Sequence, residues 1–355
     1  MPLTIREHVP LAPFTTLGLG GPARWFAECA GEAEVREALA WARERGTRVL
    51  VLAGGSNTIV PDAGVAGLVL RVATRGVTYQ ETETDVTVTA QAGEDWDALV
   101  AHAVGRGWSG IECLSGIPGT VGATPIQNVG AYGQEIADVL ELVSCLDRDS
   151  GERAIFPRAA CGFGYRTSRF KAAERDRWIV LDVTLRLVKG ERPVLRYGEL
   201  RDAVGAAAAL AALDPEDAVQ KVRSAVLALR RRKGMVIDPA DPDTRSVGSF
   251  FTNPVLSATA FAEVERRWTA GGGTAPVPSH AAGDGVKVPA AWLVERAGFP
   301  RGTARRGARV SAKHTLALVN DGGTTEDLLA LADEVTAAVE ARFGVRLERE
   351  PVVLA

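Results

Sequence analysis

The sequence predicts a mixed α/β (α+β) fold, on the evidence of its length, its alternating periodicity and two glycine-rich turns. The chain has 355 residues, which is enough for two or three domains with cores of their own. Helical and strand patterns alternate over the first seventy residues, and mixed patterns continue to about Leu187. Glycine-rich turns allow the backbone to approach a ligand closely. The sequence therefore indicates a multidomain α/β protein with a binding site lined by main chain.

The first elements are a helix, a strand and a turn. Val35 and Ala42 lie on one face of the helix, which we expect to end at Gly46 after two arginines. Val49–Leu52 predicts a buried strand, which leads into the turn Gly-Gly-Ser-Asn at residues 54–57. This turn is not GxGxxG, and no clear helix follows it, so a Rossmann fold is disfavoured.

Further along the chain, residues 86–89 and 178–187 alternate as strands, and Trp96, Leu99 and Ala103 have helical spacing. These patterns predict that the mixed sheet-and-helix region continues well past residue 71. We expect it to form a second part of the molecule, residues 71–213.

A new helix is predicted from Asp214, which suits an N-cap before Pro215, to Gly234. Proline-rich and glycine-rich loops follow at 238–244 and 271–285. A last helix is predicted to stop at Gly344, with a short strand at 345–350. We therefore expect domains at 1–70, 71–213 and 214–344, with the C-terminal strand 345–355 joined to the first of them.

Composition narrows the class of protein. The net charge is −3, which argues against a general nucleic-acid binder, and the four cysteines form no CxxC pair. The four histidines show no metal-ligand spacing, so no metal is expected. The N-terminus has no signal-peptide core and no apolar run reaches the length of a membrane span. We expect a cytoplasmic protein, a monomer, that binds no membrane and acts on a small molecule.

Residues 117–133, IPGTVGATPIQNVGAYG, are the most informative segment, and we call them the glycine-rich loop. The loop has four glycines and no charged side chain. Successive amides in such turns form a concave nest for anions, so the loop could hold a pyrophosphate by main-chain donors alone. On glycine content alone, tight surface turns would be an equal alternative.

Together with LAGGSNTIV at 52–60, the glycine-rich loop resembles the FAD-binding signature of the UDP-N-acetylenolpyruvoylglucosamine reductase family. Four more segments extend the resemblance in the family's order: FGYRTSRFK at 163–171, PVLRYGEL at 193–200, GSFFTNP at 248–254 and LEREP at 347–351. The resemblance implies a two-part FAD-binding region of the PCMH/vanillyl-alcohol-oxidase-like type and a C-terminal α/β substrate-binding domain. It also implies FAD and NADPH as cofactors. Tyr197 stands where the longer, type I branch of the family has a tyrosine, so the chain resembles that branch.

The resemblance further implies a redox reaction in two stages. NADPH gives a hydride to FAD and leaves, and the enolpyruvyl ether of UDP-N-acetylglucosamine then receives a hydride from flavin N5 at its vinyl C3. The product is UDP-N-acetylmuramic acid, a peptidoglycan precursor. Negative charge develops toward C2 and the carboxylate, so the chemistry needs a nearby cation and a proton donor.

Three residues match the family's catalytic positions. Arg166 matches the arginine that stabilises the developing charge, which suits a permanently charged guanidinium. Ser249 matches the proton donor to C2. Glu350 corresponds to the glutamate that assists at the enol carbon, although the family's usual Leu-Glu-Pro-Glu reads Leu-Glu-Arg-Glu here. Glu348 would share the same strand face, so facing direction does not separate the two glutamates.

Without the motifs, each of these residues has an ordinary structural interpretation: a surface ion pair for the arginine, a turn or helix cap for the serine, and a solvated carboxylate for the glutamate. The resemblance implies that FAD is held by Gly54, Gly55, Ser56, Asn57, Thr58, Ile117, Pro118, Gly119, Gly122, Ala123, Gln127, Asn128, Gly130, Tyr132 and Gly133. It implies that the substrate is held by Tyr197, Lys233, Asn253 and Lys287. We interpret Arg230, Arg231 and Arg232 mainly as cations at a helix C-terminus.

Two alternative functions remain at this point. One is an oxidase of the wider vanillyl-alcohol-oxidase-like superfamily, which would not need Arg166, Ser249 and Glu350 together and whose reduced form would react rapidly with oxygen. The other is a non-catalytic nucleotide-binding protein, which would have no use for a proton donor.

Overall fold

The computed structural model describes residues 3–205 and 207–354. Its helices are α1 Glu32–Glu44, α2 Trp96–Gly105, α3 Ile136–Val139, α4 Gly198–Val204, α5 Ala207–Ala211, α6 Pro215–Arg232, α7 Ala258–Ala270, α8 Ala290–Arg296 and α9 Thr325–Phe343. Within the described ranges, no helix is long and apolar enough to cross a membrane.

The strands follow the chain in two groups. Those before residue 200 are β1 Ile5–Pro10, β2 Pro22–Cys29, β3 Val49–Leu52, β4 Thr58–Ile59, β5 Val65–Val72, β6 Val77–Glu81, β7 Asp85–Gln91, β8 Trp108–Ser109, β9 Gly130–Ala131, β10 Gln134–Glu135, β11 Leu140–Asp147, β12 Arg153–Pro157 and β13 Trp178–Lys189. Those after it are β14 Ser246–Ser249, β15 Val255–Leu256, β16 His280–Ala282, β17 Gly285–Lys287, β18 Ala304–Arg305, β19 Ala308–Val310, β20 Ala317–Asn320 and β21 Val352–Val353.

The chain forms two compact units. Unit 1 comprises the residues through Val9, Ala23–Gly55 and Val65–Arg232, and unit 2 comprises Pro10–Pro22, Ser56–Gly64 and the chain from Lys233 onward.

Unit 1 contains two larger sheets and the two-stranded sheet formed by β9 and β10. The first has the order β1-β2-β5-β3, in which β5 runs parallel to both β2 and β3. The second has the order β12-β11-β13-β7-β6 with β8 beside β13, and its neighbours are antiparallel. One hydrophobic core takes apolar side chains from α1, α2 and both sheets. The mixed α/β class expected from the sequence is thus confirmed in this unit.

Unit 2 is built on short strands covered by helices. Its sheets have the orders β14-β20-β19-β18 and β15-β17-β16, and β21 pairs in parallel with β4. Its core takes apolar residues from α7, α8, α9 and β20. The helix α9 begins at a capping box formed by Thr324 and Asp327 and ends at Gly344, whose φ is +71°.

Most of the predicted elements are confirmed, including α1, α2, α6, α9, β7 and β13. Three expectations were wrong. Strand β3 buries only Leu50 and Leu52 fully, whereas Val49 and Val51 are half-buried. The loop predicted at 271–285 contains β16. Residues 345–350 form no continuous strand, since the chain makes one isolated bridge at Arg349 and pairs again only at β21.

Helix α6 lies in unit 1, although we expected it to open the substrate-binding domain at residue 214. Its apolar face packs with Leu200 and Val204 of α4 and with Cys113. Arg223 of α6 also makes two hydrogen bonds, of 2.7 and 3.0 Å, to the carboxylate of Asp97 in α2. This packing assigns α6 to unit 1. The division into three domains stays a prediction.

Candidate functional site

The two glycine-rich segments singled out in the sequence meet in unit 1. A Cβ atom added to Gly54 would lie 2.6 Å from the Cα of Gly119, so the two backbones are in direct contact there. Gly55 and Gly119 have φ values of +64° and +123°, which side chains rarely allow. The turn at 54–55 and the glycine-rich loop therefore form one surface lined by main chain.

The accessible part of this surface could bind a nucleotide through its main chain, without charged side chains. Ile117, Pro118, Gly119, Ala123 and Gln127 are all half-buried, and none carries a charge. The amides of Val121, Gly122 and Thr124 donate to carbonyls within the protein, so other backbone amides of the loop would supply the donors for a pyrophosphate. The residues present therefore fit FAD. Ser56, Asn57 and Thr58, predicted in the same set, lie in unit 2.

Other glycines of the loop are required by packing of the protein against itself. A Cβ on Gly122 would lie 2.5 Å from the Cβ of Ala92, and a Cβ on Gly133 would lie 2.8 Å from that of Arg196. A Cβ on Gly130 would meet the Glu135 side chain at 2.8 Å. These three glycines therefore fix the path of the loop, whatever it binds.

Asn128 is 1% exposed and makes three hydrogen bonds through its side chain. The amide nitrogen donates to Glu135 Oε2 at 2.7 Å and to the Gly164 carbonyl at 3.1 Å. The amide oxygen accepts from the Ala137 amide at 3.1 Å. Since the protein uses both ends of this side chain, only the main chain of Asn128 is left to meet FAD. A contact between FAD and the main chain of Asn128 stays a prediction.

Arg166 lies against the glycine-rich loop. Its Nη2 donates to the Gly130 carbonyl at 2.6 Å, and its guanidinium stands 5.4 Å from the centre of the Tyr165 ring. The residue has a φ of +55°, uncommon for a side chain of this size. The structure thus brings one predicted catalytic residue to the predicted FAD loop.

Tyr132 and Tyr197 contact each other edge to face, with ring centres 5.6 Å apart. Tyr197 precedes α4 and is 49% exposed, whereas Tyr132 is half-buried. Burial raises the pKa of Tyr132 to about 12, with nearby Arg230 acting against the shift. Both hydroxyls are therefore protonated at neutral pH, because the pKa of Tyr197 is raised by burial as well.

In unit 2, Ser249 and Glu350 lie on paired segments. Ser249 ends β14, where it pairs with Ala317 of β20. The Glu350 amide donates to the Phe250 carbonyl at 2.9 Å, next to Ser249 in the chain. Glu350 is half-buried and Glu348 is exposed. Burial therefore favours Glu350 over Glu348, a choice that facing direction could not make.

The predicted substrate ligands Asn253 and Lys287 also share one corner of unit 2. Asn253 Oδ1 accepts from the Ala290 amide at 2.8 Å and so holds the start of α8. Lys287 lies on β17 opposite Val255. Lys233, the last of the predicted ligands, follows the end of α6 and is half-buried. Arg166 lies in unit 1, whereas Ser249 and Glu350 lie in unit 2.

Arg230 differs from Arg231 and Arg232 in its burial. The side chain is 9% exposed, and burial lowers its pKa to about 10. It lies four residues after Val226 on the apolar face of α6, whereas Arg231 and Arg232 point outward. Arg230 thus stands in the last turn of α6, as expected, but it is buried there. Helical spacing was the signal that could have revealed a buried arginine near Tyr132.

Comparison with known proteins confirms the resemblance. A family model described as FAD binding domain matches residues 23–154, and a model of the C-terminal domain of UDP-N-acetylenolpyruvoylglucosamine reductase matches residues 239–354. The UDP-N-acetylenolpyruvoylglucosamine reductase of Thermobifida fusca (strain YX) is 49% identical over 100% of this chain and 99% of its own length. That of Nocardia farcinica (strain IFM 10152) is 50% identical over 99% of this chain and 90% of its own length.

A solved structure is similar over the same extent. The UDP-N-acetylenolpyruvylglucosamine reductase (MurB) from Thermus caldophilus matches with a TM-score of 0.66 and 26% identity, covering 99% of this chain and 100% of that one. The FAD-binding region expected from the two glycine-rich motifs is thereby confirmed. Identity near one half over the full length shows that this chain belongs to the UDP-N-acetylenolpyruvoylglucosamine reductase family, oxidoreductases with an FAD-binding domain.

Proposed function

We propose that this protein reduces the enolpyruvyl ether of UDP-N-acetylglucosamine enolpyruvate to UDP-N-acetylmuramic acid, with NADPH as the reductant. The observation that carries the proposal is the position of Arg166, whose Nη2 lies 2.6 Å from the oxygen of the Gly130 carbonyl. A permanent cation is thus fixed on the loop that fits FAD. The reaction needs a cation near the substrate carboxylate, and the family membership of the whole chain supports that assignment.

Bound FAD supplies hydride-transfer chemistry at this loop. The chain's own residues bind and orient the substrate and handle charge and protons. Arg166 forks onto the substrate carboxylate and stabilises the negative charge that develops as C3 is reduced. Because the guanidinium keeps its proton at any working pH, it acts as a fixed charge and not as an acid.

Ser249 protonates C2. A serine hydroxyl is a poor acid, so it acts only against a strongly basic carbon and with help from a neighbour. Glu350 assists at the enol carbon in this proposal, because its amide donates to the carbonyl of Phe250, the residue that follows Ser249 in the chain. Ser249 is half-buried, and its hydroxyl makes no hydrogen bond to another described residue. The hydroxyl is therefore available to a ligand.

Four residues bind the substrate in this proposal: Tyr197, Lys233, Asn253 and Lys287. The lysines meet the diphosphate as point charges. Asn253 uses its oxygen to hold α8, so its amide nitrogen is the group offered to the ligand. We further propose that the protein acts in the cytoplasm as a monomer in peptidoglycan precursor synthesis, with three functional domains at 1–70, 71–213 and 214–344.

The test is stopped-flow measurement of the two half-reactions with holoenzyme, for wild type and Ser249→Ala. Flavin reduction by NADPH should stay near the wild-type rate in the variant. Reduction of the enolpyruvyl substrate should slow by about 10²- to 10⁴-fold, the usual contribution of a general acid. Equal loss in both half-reactions would show that Ser249 is structural. Rapid reoxidation by oxygen without the UDP-sugar would favour the oxidase alternative.

A further inference from the structure

Arg166 occupies the tip of a tight turn, residues 164–167, which we call the Arg166 turn. Gly164 and Thr167 exchange backbone hydrogen bonds of 3.1 and 3.3 Å, so two residues form the tip. Arg166 has a φ of +55° there. A left-handed conformation costs a non-glycine residue free energy, so surrounding contacts must hold it.

Two buried side chains connect the Arg166 turn to the glycine-rich loop. Asn128 Nδ2 donates to the Gly164 carbonyl at 3.1 Å, at the first residue of the turn. Ser168 Oγ, just after the turn, donates to the Ile126 carbonyl at 2.6 Å. Both residues are 1% exposed. The turn is therefore fixed at both ends to the same three residues of the loop, 126–128.

The hydrogen bonds of Asn128 leave no freedom for its side chain to turn. Its second amide proton goes to Glu135 and its oxygen accepts from Ala137, both in the segment that follows the glycine-rich loop. A buried amide that lost one of these partners would carry an unmet donor or acceptor. The side chain thus sets the distance between the loop and the Arg166 turn.

We propose that Asn128 is a positioning residue for Arg166, holding the Arg166 turn on the glycine-rich loop, with Ser168 as a second, weaker tie. This inference rests on the proposed function of Arg166. Asn128 touches neither substrate nor reacting atoms in this role. Its removal would let the turn relax from its left-handed tip and move the guanidinium from its place beside Gly130.

The first test is a double-mutant cycle on the substrate half-reaction in holoenzyme. Asn128→Ala should slow reduction of the enolpyruvyl substrate by about 10- to 100-fold, the loss expected when a reacting group is displaced by about 1 Å. Flavin reduction by NADPH should slow by a smaller factor, so the ratio of the two half-reaction rates should change. In an Arg166→Ala background, Asn128→Ala should add little, because its effect passes through Arg166. Fully additive effects would overturn the proposal.

Asn320 supplies a matched control. It is also a buried asparagine, and its side chain likewise donates to a carbonyl, that of Leu17 at 2.8 Å, and accepts from the Gly322 amide at 3.0 Å. Asn320→Ala should lower stability and leave the ratio of the two half-reaction rates unchanged. If Asn320→Ala shifted that ratio as strongly as Asn128→Ala, the effect would be a general consequence of destabilisation and the proposal would fail.

The second test does not depend on the catalytic role of Arg166. Hydrogen exchange of the peptide 163–171 should be at least about 10-fold faster in Asn128→Ala holoenzyme than in wild type. If Asn128→Ala does not fold, Ser168→Ala takes its place as the milder change. In that variant the exchange of peptide 163–171 should still be faster than in wild type, by less than about 10-fold. Unchanged exchange in both variants would overturn the positioning role. If Arg166→Ala left the substrate half-reaction intact, the proposed function of Arg166 would fail, and exchange would still decide whether Asn128 holds the turn.

Discussion

The glycine-rich loop of unit 1 and the Ser249 segment of unit 2 are built on opposite principles. In the loop, Asn128 and Tyr132 have positive φ, and buried side-chain hydrogen bonds hold the path. In unit 2, Ser249 and Glu350 stand on segments held by main-chain hydrogen bonds, such as that from the Glu350 amide to Phe250. A loop site therefore depends on a few residue identities, whereas a strand-borne site depends on register.

The largest effect should come from the strand-borne side. Glu350→Gln keeps the main-chain bonds of the segment and removes only the carboxylate, so reduction of the enolpyruvyl substrate should slow by about 10²- to 10⁴-fold. Glu348→Gln, two residues away and exposed, is the matched control and should change the rate less than about 2-fold. Stopped-flow kinetics of the substrate half-reaction measures both. The reverse order would assign the role to Glu348.

The loop side should respond to a single methyl group. In Gly54→Ala the new Cβ would stand 2.6 Å from the Gly119 backbone, which must move. Overpacking of this kind costs about 1–3 kcal/mol. If that cost falls on the FAD-bound state, the Kd for FAD should rise about 5- to 150-fold. Gly31→Ala, where nothing lies within 4 Å of the new atom, is the control. Fluorescence titration of both variants with FAD should separate them, and equal affinities would contradict a close-contact role.

Each unit also contains an aspartate–arginine pair that should affect acid stability. In unit 2, burial by itself would raise the pKa of Asp243, but hydrogen bonds from Arg309 and from the Ala312 amide outweigh it, so the pKa is lowered. In unit 1, burial would also raise the pKa of Asp97, and Arg223 lowers it below the ordinary value. A lowered pKa stabilises the fold above the unfolded-state pKa, about 3.9 for aspartate. That stability is lost as pH falls through the folded-state pKa.

We therefore expect thermal stability of the wild type to fall below about pH 4. Asp243→Asn should be less stable at pH 7 and should show a shallower decline below pH 4, because one of the titrating groups is gone. Thermal unfolding followed between pH 3 and pH 7 measures this. An equally steep decline in the variant would mean that Asp243 keeps no stabilising charge in the folded state.

The smallest effect should be at a helix end. Helix α9 of unit 2 starts at Thr324, whose hydroxyl accepts from the Asp327 amide at 3.1 Å, whereas α1 of unit 1 starts at Gly31 without a side-chain cap. Thr324→Ala should lower the free energy of unfolding by about 1 kcal/mol. Thr336→Ala in the middle of α9 should be neutral or stabilising, because its hydroxyl bonds only back to the Ala332 carbonyl. Denaturant unfolding measures both variants. Equal losses of unfolding free energy in Thr324→Ala and Thr336→Ala would contradict a capping role for Thr324.

Local patterns predicted the elements well where one periodicity dominates. Helices α1, α2, α6 and α9 were found where spacing and caps indicated them. The end of the chain was misjudged, because residues 348–350 bond alternately to 250–252 and then pass to Asn57 and β4. The segment pairs first with residues 250–252 and then with Asn57 and β4, so one strand-like sequence forms two short pieces. A local sequence pattern does not reveal this change of partner.

The sequence by itself determined the family and the residues expected at its catalytic positions, because those depend on the order of motifs along the chain. Tertiary structure alone decided that Asn128 faces the protein and bonds to Gly164, that Arg230 is buried, and that Glu350 is more buried than Glu348. The physical reason is that a polar side chain is satisfied by whichever groups the fold brings to it. Those groups lie 36 residues away for Asn128 and 293 residues away for the bond between Asn57 and Glu350.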